Sequence, residues 1–280
     1  MKNFLKSILI WSLRILLLLT ILIICSYKIA TSTKIVPKII TKTINQQSKD
    51  LQINNLKIGT IIFAPDNYIL KNLSFEVSSQ GQKFNITTKT ALIHNILAPT
   101  FEISINELTI KNSQMSFENI NLNGQYDPYK TKTFKGMAKI QTIEIQKYMF
   151  NRMLTFVNYS PESIDLSPVY VRSNNKYKGT MQGSIKIQTP PHTFPKLKAV
   201  LVSSKGDMDS DVIRYLMGDI NNNLSFLPFQ KQLNDKKFIR LEKFHVTVHN
   251  KSSENLEAEI NLDSSELNLK LNPTITINLR

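Results

Sequence analysis

Cysteine is nearly absent. Cys25 is the only one in 280 residues, so no intramolecular disulfide holds this chain together. That says little about compartment, because many exported proteins have no disulfide. Glycine is also scarce, and the eight present never fall as G-x-G, which excludes the common phosphate-cradling loops. H-E-x-x-H and G-x-S-x-G are missing too. With no constellation of nucleophile, base and orienting group, the chain reads as a non-enzyme without a cofactor. Acid is absent before Asp50, and the formal charge is +14. Outside residues 1–30, which hold Lys2, Lys6, Arg14 and Lys28, there remain 31 basic and 21 acidic residues. They are scattered, not gathered into patches interleaved with aromatics, and this argues against nucleic acid as a partner.

What is present begins with a strongly apolar run, "IWSLRILLLLTILIICSY", from Ile10 to Tyr27, with Arg14 its one charged residue. A helical rise of 1.5 Å per residue would set Trp11 and Tyr27 about 24 Å apart, near the two edges of a bilayer core. Aromatic residues favour those edges, and Arg14 can snorkel back toward headgroups. An uncleaved single span is expected. A cleaved signal is the alternative, with Ala30 and Ser32 near a site that Lys28 and Lys34 make poor. The expected division is an anchor over 1–30, a juxtamembrane helix or linker over 31–50, and an exported domain over 51–280. Ile35, Ile39, Ile40 and Ile44 give the linker its helical spacing, and Pro37 fits a first turn.

After Asp50 the apolar period becomes two. Strands are expected near 51–58, 68–77, 84–88, 101–110, 115–122, 134–145, 177–187, 198–203, 238–248, 256–262, 267–271 and 274–279. Two stretches break this alternation. "QKYMFNRMLTFVN" (Gln146–Asn158) places Met149, Phe150, Met153, Leu154, Phe156 and Val157 on a helical stripe. In the second, from Asp207, either Asp207 or Asp209 can cap a helix whose face is Val212, Ile213, Leu216, Met217 and Ile220.

One unit recurs along the strands: an apolar residue, another three on, a third two further. It occurs as Ile53, Leu56, Ile58; Leu70, Leu73, Phe75; Ile105, Leu108, Ile110; Phe117, Ile120, Leu122; Ile140, Ile143, Ile145; and Leu241, Phe244, Val246. The skipped step predicts a bulge or bend that keeps apolar side chains on one face of a curling sheet. The fold class expected is mainly β with minor α: an N-terminal transmembrane helix followed by a curved, mostly antiparallel sheet and two amphipathic helices. The helices are too few to cover the apolar face, so the sheet either folds on itself as a sandwich or barrel, or curves around a ligand.

Small clusters elsewhere have ordinary explanations. His245 and His249 in "HVTVH" share a strand face but lack a third ligand, so no metal is expected. Asp207, Asp209 and Asp211 read as capping acids in preference to a cation site.

The run Ile39 to Val77, with Leu51, Ile53, Leu56 and Ile58 in its first strand and Leu70, Asn72, Leu73 and Phe75 in its second, resembles the N-terminal module of the AsmA-like family of bacterial envelope proteins. The stretch from Ile239 to Leu279 is similar in style to the ends of such proteins. Members are usually much longer. The resemblance implies an inner-membrane, single-pass protein whose bulk lies in the periplasm as an open trough or β-taco that holds or transfers phospholipid. The expected groove lining is Ile53, Leu56, Ile58, Leu73, Phe75, Ile103, Ile105, Leu108, Phe117, Ile120, Ile143 and Ile145, with phospholipid, the inner membrane and other envelope proteins as partners. The alternative is a non-enzymatic structural or assembly factor of the envelope that binds protein partners.

Overall fold

The computed structural model describes residues 26–47, 51–64, 66–79, 82–96, 98–145, 148–188, 196–217, 233–252 and 255–278. The expected span from Ile10 lies mostly outside these, as does Ile220. No helix among the described residues is long and apolar enough to cross a membrane.

Helix α1 (Ile35–Gln47) covers the isoleucine spacing that predicted a helix over this stretch. Then come β1 (Leu51–Ala64), β2 (Asn67–Ser79), β3 (Gln82–His94), β4 (Phe101–Lys111) and β5 (Met115–Asp127). These five pair in succession as antiparallel hairpins. The far side of β5 is shared by β6 (Thr133–Ile140) and β7 (Thr142–Ile145), which are in turn met by β9 (Arg152–Ser160) and β8 (Tyr148–Phe150). The meander continues through β10 (Ser163–Asn174) and β11 (Tyr177–Gln188) to a split level of β12 (Lys196–Ser203) and β13 (Gly206–Asp209). Helix α2 (Ser210–Met217) follows, then β14 (Phe238–Leu241), β15 (Lys243–Asn250), β16 (Asn255–Ser264), β17 (Leu269–Leu271) and β18 (Thr274–Asn278). β15 pairs with β12 and β16, β14 with β13, and both β17 and β18 with β16.

The result is one large, curved, open antiparallel sheet. Among the described residues β1 pairs only with β2, and no ladder joins it to β17 or β18. The sheet is not closed into a barrel.

The recurring apolar unit marks a line of irregularity across this sheet. Asn55, Asn72, Glu107 and Asn119, each in the skipped step of one unit, have φ of 54°, 54°, 54° and 53°. A left-handed residue consumes one position without advancing the pleat, so the apolar residue two before it and the one just after it present the same face. In β1 the bulge sets Asn55 and Leu56 against the single Phe75; between β4 and β5, Asn106 and Glu107 face Asn121, while Glu118 and Asn119 face Thr109. Asn72 shifts no register. It is opposite Gly59, where a Cβ would stand 3.0 Å from the Asn72 Cβ. The other two units fall at strand breaks, Gln141 between β6 and β7 and Glu242 between β14 and β15.

Three expectations are corrected. Residues 148–150 and 152–160 are strands, not a helix: Met153 and Thr155 are buried while Arg152, Leu154 and Phe156 are exposed, which is period two. β10 was not expected as a strand because Ser167-Pro168 interrupts it; the peptide is cis and lies at a bulge between Leu166 and Val169. Leu267 and Asn268, placed in a strand by alternation, belong to the turn at 265–268 before β17.

Helix α2 is as expected. Asp209 caps it, its Oδ1 accepting from the Asp211 amide at 2.9 Å, and Ile213 and Met217 are buried. Arg214 ties the helix to the helical residues 233–235 by donating to the Leu233 carbonyl at 2.5 Å.

Candidate functional site

The two halves of the sheet differ in how their apolar face is covered. In the C-terminal half, fourteen buried residues from Ile143 to Leu267 form one cluster, including Ile213 and Met217 of α2 and Leu233 beside it. That half is a conventional core. From β1 to β5, the buried apolar residues are only Ile53, Ile58, Ile61 and Ile120. The remaining large side chains of that face are half-buried, and Phe117 packs against the C-terminal cluster.

The registers show that the expected lining residues share this face, since residues directly opposite one another in a ladder point the same way. Phe75 faces Ile86, Ile86 faces Ile110, Ile110 faces Phe117, Phe117 faces Ile143, and Ile143 faces Phe150. One apolar row thus crosses six strands. A second row runs Ile61, Leu70, Ala91, Ile105, Leu122, Ala138 through seven strands to Thr155. Ile58 faces Leu73, Leu108 faces Ile120, Ile53 faces Val77, and Ile103 sits between Ile93 and Gly124. Leu56 is at the β1 bulge beside Phe75, and Ile145 pairs with Met115. Ile86, Ile110 and Leu70 complete the rows. Leu70 and Ile110 already belong to the recurring unit, and the alternation of β3 places Ile86 with them.

Between the rows, Thr88 is the polar exception on this buried line; its hydroxyl donates to the Asn106 carbonyl at 2.8 Å. At the lower end Gly124 and Gly136 lie opposite each other under the ring of Phe134, whose Cζ stands 2.6 Å from where either Cβ would be. Tyr177 covers Gly179 and Gly206 in the same way. Its hydroxyl donates to Ser203 Oγ at 2.5 Å, and burial raises the phenol's pKa, with the Ser203 bond opposing and Asp207 adding to the rise.

Within the C-terminal half an apolar cleft of about 240 Å³ is lined by Met149, Phe150, Met181, Leu201, Met208 and Phe244, together with Lys176. Lys176 pairs with Asp209 at 2.9 Å. Burial works against the Asp209 charge, but the Lys176 bond and the Asp211 amide outweigh it and hold the carboxyl below its usual range. Asp211 pairs with Arg214 at 2.5 Å. These acids serve the helix start.

At the β1 edge, α1 docks by an unusual contact. The Asn45 side chain accepts from the Ile53 amide at 2.7 Å and donates to the Ile53 carbonyl at 3.0 Å, as a neighbouring strand would. Tyr68 donates to the Ala30 carbonyl at 2.9 Å. Pro37 is buried, Ile40 and Ile44 are half-buried, and Ile35 and Ile39 are 44% and 53% exposed, so the isoleucine stripe is divided between sheet and surroundings. Tyr27 and Ile29 are exposed as well. Lys34, Lys38 and Lys42 line a groove of about 550 Å³ between α1 and Leu56.

Comparison of the chain with protein-family models, with curated proteins and with solved structures finds no match.

Proposed function

We propose that this chain is a membrane-anchored envelope protein that binds or transfers phospholipid along the apolar face of its sheet. The observation that supports this best is the pair of apolar rows, continuous across six and seven strands, whose members in β2–β5 are only half-buried. A broad apolar face left to water would be costly, and acyl chains cover such a face at about 0.8 kcal/mol per buried methylene without specific polar contacts. The left-handed residues act as the crease of a trough. Exposed Tyr27, Ile29, Ile35 and Ile39 beside Lys34, Lys38 and Lys42 have the composition of a segment lying in an anionic interface. This fits the apolar run that precedes it in sequence, and the resemblance to the AsmA-like family points to the inner membrane and periplasm.

A second reading, a non-enzymatic assembly factor, is favoured by a different observation. On the opposite face of the sheet Met137 faces Phe156 and Leu154 faces Tyr170, and all four are at least 36% exposed. A photo-crosslinking amino acid placed in the full chain at Phe75 or Ile105, and separately at Phe156, separates the two. Lipid captured from Phe75 and Ile105 but not from Phe156 is the result expected. Protein captured from Phe156, with no lipid at Phe75 or Ile105, would replace the lipid reading by the assembly one.

A further inference from the structure

The register of the last long hairpin gathers ligands that the sequence separates. His249 in β15 lies directly opposite Glu257 in β16, and Glu259, two residues on, presents the same face. One ligand atom from each of the three lies within 4.8 Å of the others. His245 is four residues before His249 on that face but is not one of the three; its ring contacts the Thr247 hydroxyl at 3.4 Å. The apolar face of the same strands carries Phe244, Val246, Val248, Ala258 and Leu262, so this cluster is on the side away from the proposed lipid surface.

We propose that His249, Glu257 and Glu259 form a divalent-cation site of the zinc class. An imidazole nitrogen with two carboxylate oxygens suits a borderline ion such as Zn²⁺, whereas Ca²⁺ and Mg²⁺ prefer oxygen alone. Ligands 2.0–2.2 Å from a tetrahedral ion stand about 3.4 Å apart. The three side chains therefore close in by side-chain rotation, with no change in the ladder that holds them. Two neighbouring carboxylates need positive charge between them. Lys251 supplies it to Glu257 at 3.0 Å, but its side chain is 56% exposed and swings away readily. Lys198, opposite His249 on β12, adds a second cation close to the cluster in register. Three protein ligands leave a fourth position for water or an outside ligand. The bound ion would staple β15 to β16, the strand against which β18 pairs.

The test is titration of Zn²⁺ into the full chain, purified in detergent and stripped with chelator, using a chromophoric competitor. One saturable equivalent is expected, weakened at least tenfold by His249→Ala or Glu257→Gln and unchanged by His245→Ala. Lys251→Ala, which removes the competing ammonium, tightens it. Zinc raises the urea midpoint of the unsubstituted chain and not of His249→Ala. No saturable equivalent, or one that survives His249→Ala, overturns the site, and neither outcome bears on lipid binding.

Discussion

At the scale of single residues, the bend depends on side chains that tolerate a left-handed backbone. Asn55, Asn72 and Asn119 suit it because asparagine visits that conformation more readily than most residues, and a β-branched residue there costs about 1–2 kcal/mol. Asn72→Val should lower stability by that amount and Asn72→Gly by far less, as compared by urea midpoints. Equal effects would mean that the Asn72 side chain matters and its φ does not. Asp209 gives a second prediction. Asp209→Ala removes a helix cap and should cost about 1 kcal/mol, while Asp209→Asn keeps a capping oxygen and loses the charge. Because the folded carboxyl is held below its ordinary value, its contribution is complete above about pH 4 and fades as pH falls through the folded value. Unfolding at pH 7 and pH 3 should therefore show a larger acid loss for the unsubstituted chain than for Asp209→Asn.

At the scale of elements, the most consequential contact is the one by which α1 blocks the edge of β1. An unpaired edge strand invites pairing with another chain, and Asn45 occupies the Ile53 backbone in place of a neighbour. Asn45→Ala should release two hydrogen bonds, each worth about 1 kcal/mol, and speed deuterium exchange in the segment containing Ile53, with β3 and β4 unaffected. Unchanged exchange would show that α1 protects the edge by its bulk alone. This contact was illegible in the sequence, because it depends on how a helix folds back over a strand eight residues on. The strands themselves were legible. Phe101–Lys111 and Met115–Asp127 announce themselves by alternation, and the skipped steps located four of the seven non-glycine residues with positive φ. Where reading failed, short-range pattern was ambiguous: "MFNRMLTFV" satisfies helical and strand spacing at once, and Pro168 concealed a strand whose neighbours supply the ladder on both sides. The trio of His249, Glu257 and Glu259 was hidden for the same reason as any cross-strand site, since register, and not spacing, brings it together.

At the scale of the whole molecule, the division of labour follows from where the chain spends its helices. Helix α2 and the helical residues 233–235 cover the C-terminal half and make it a core; among the described residues of β1–β5 only Ile53, Ile58, Ile61 and Ile120 are buried apolar side chains. Helix α1 reaches only the β1 edge. Of the site, the sequence disclosed the composition of the face and the unit that keeps it in phase, but not its extent, because the rows are defined by pairing across six strands. The claim that hydrocarbon completes this half is tested most directly by extracting and quantifying lipid from the full chain, purified gently from membranes, alongside Ile105→Asp. The account predicts phospholipid in stoichiometric amount with the unsubstituted chain, and its loss in Ile105→Asp while the β-sheet circular dichroism is retained. A chain that purifies free of lipid, or one whose lipid content is unmoved by Ile105→Asp, would contradict it.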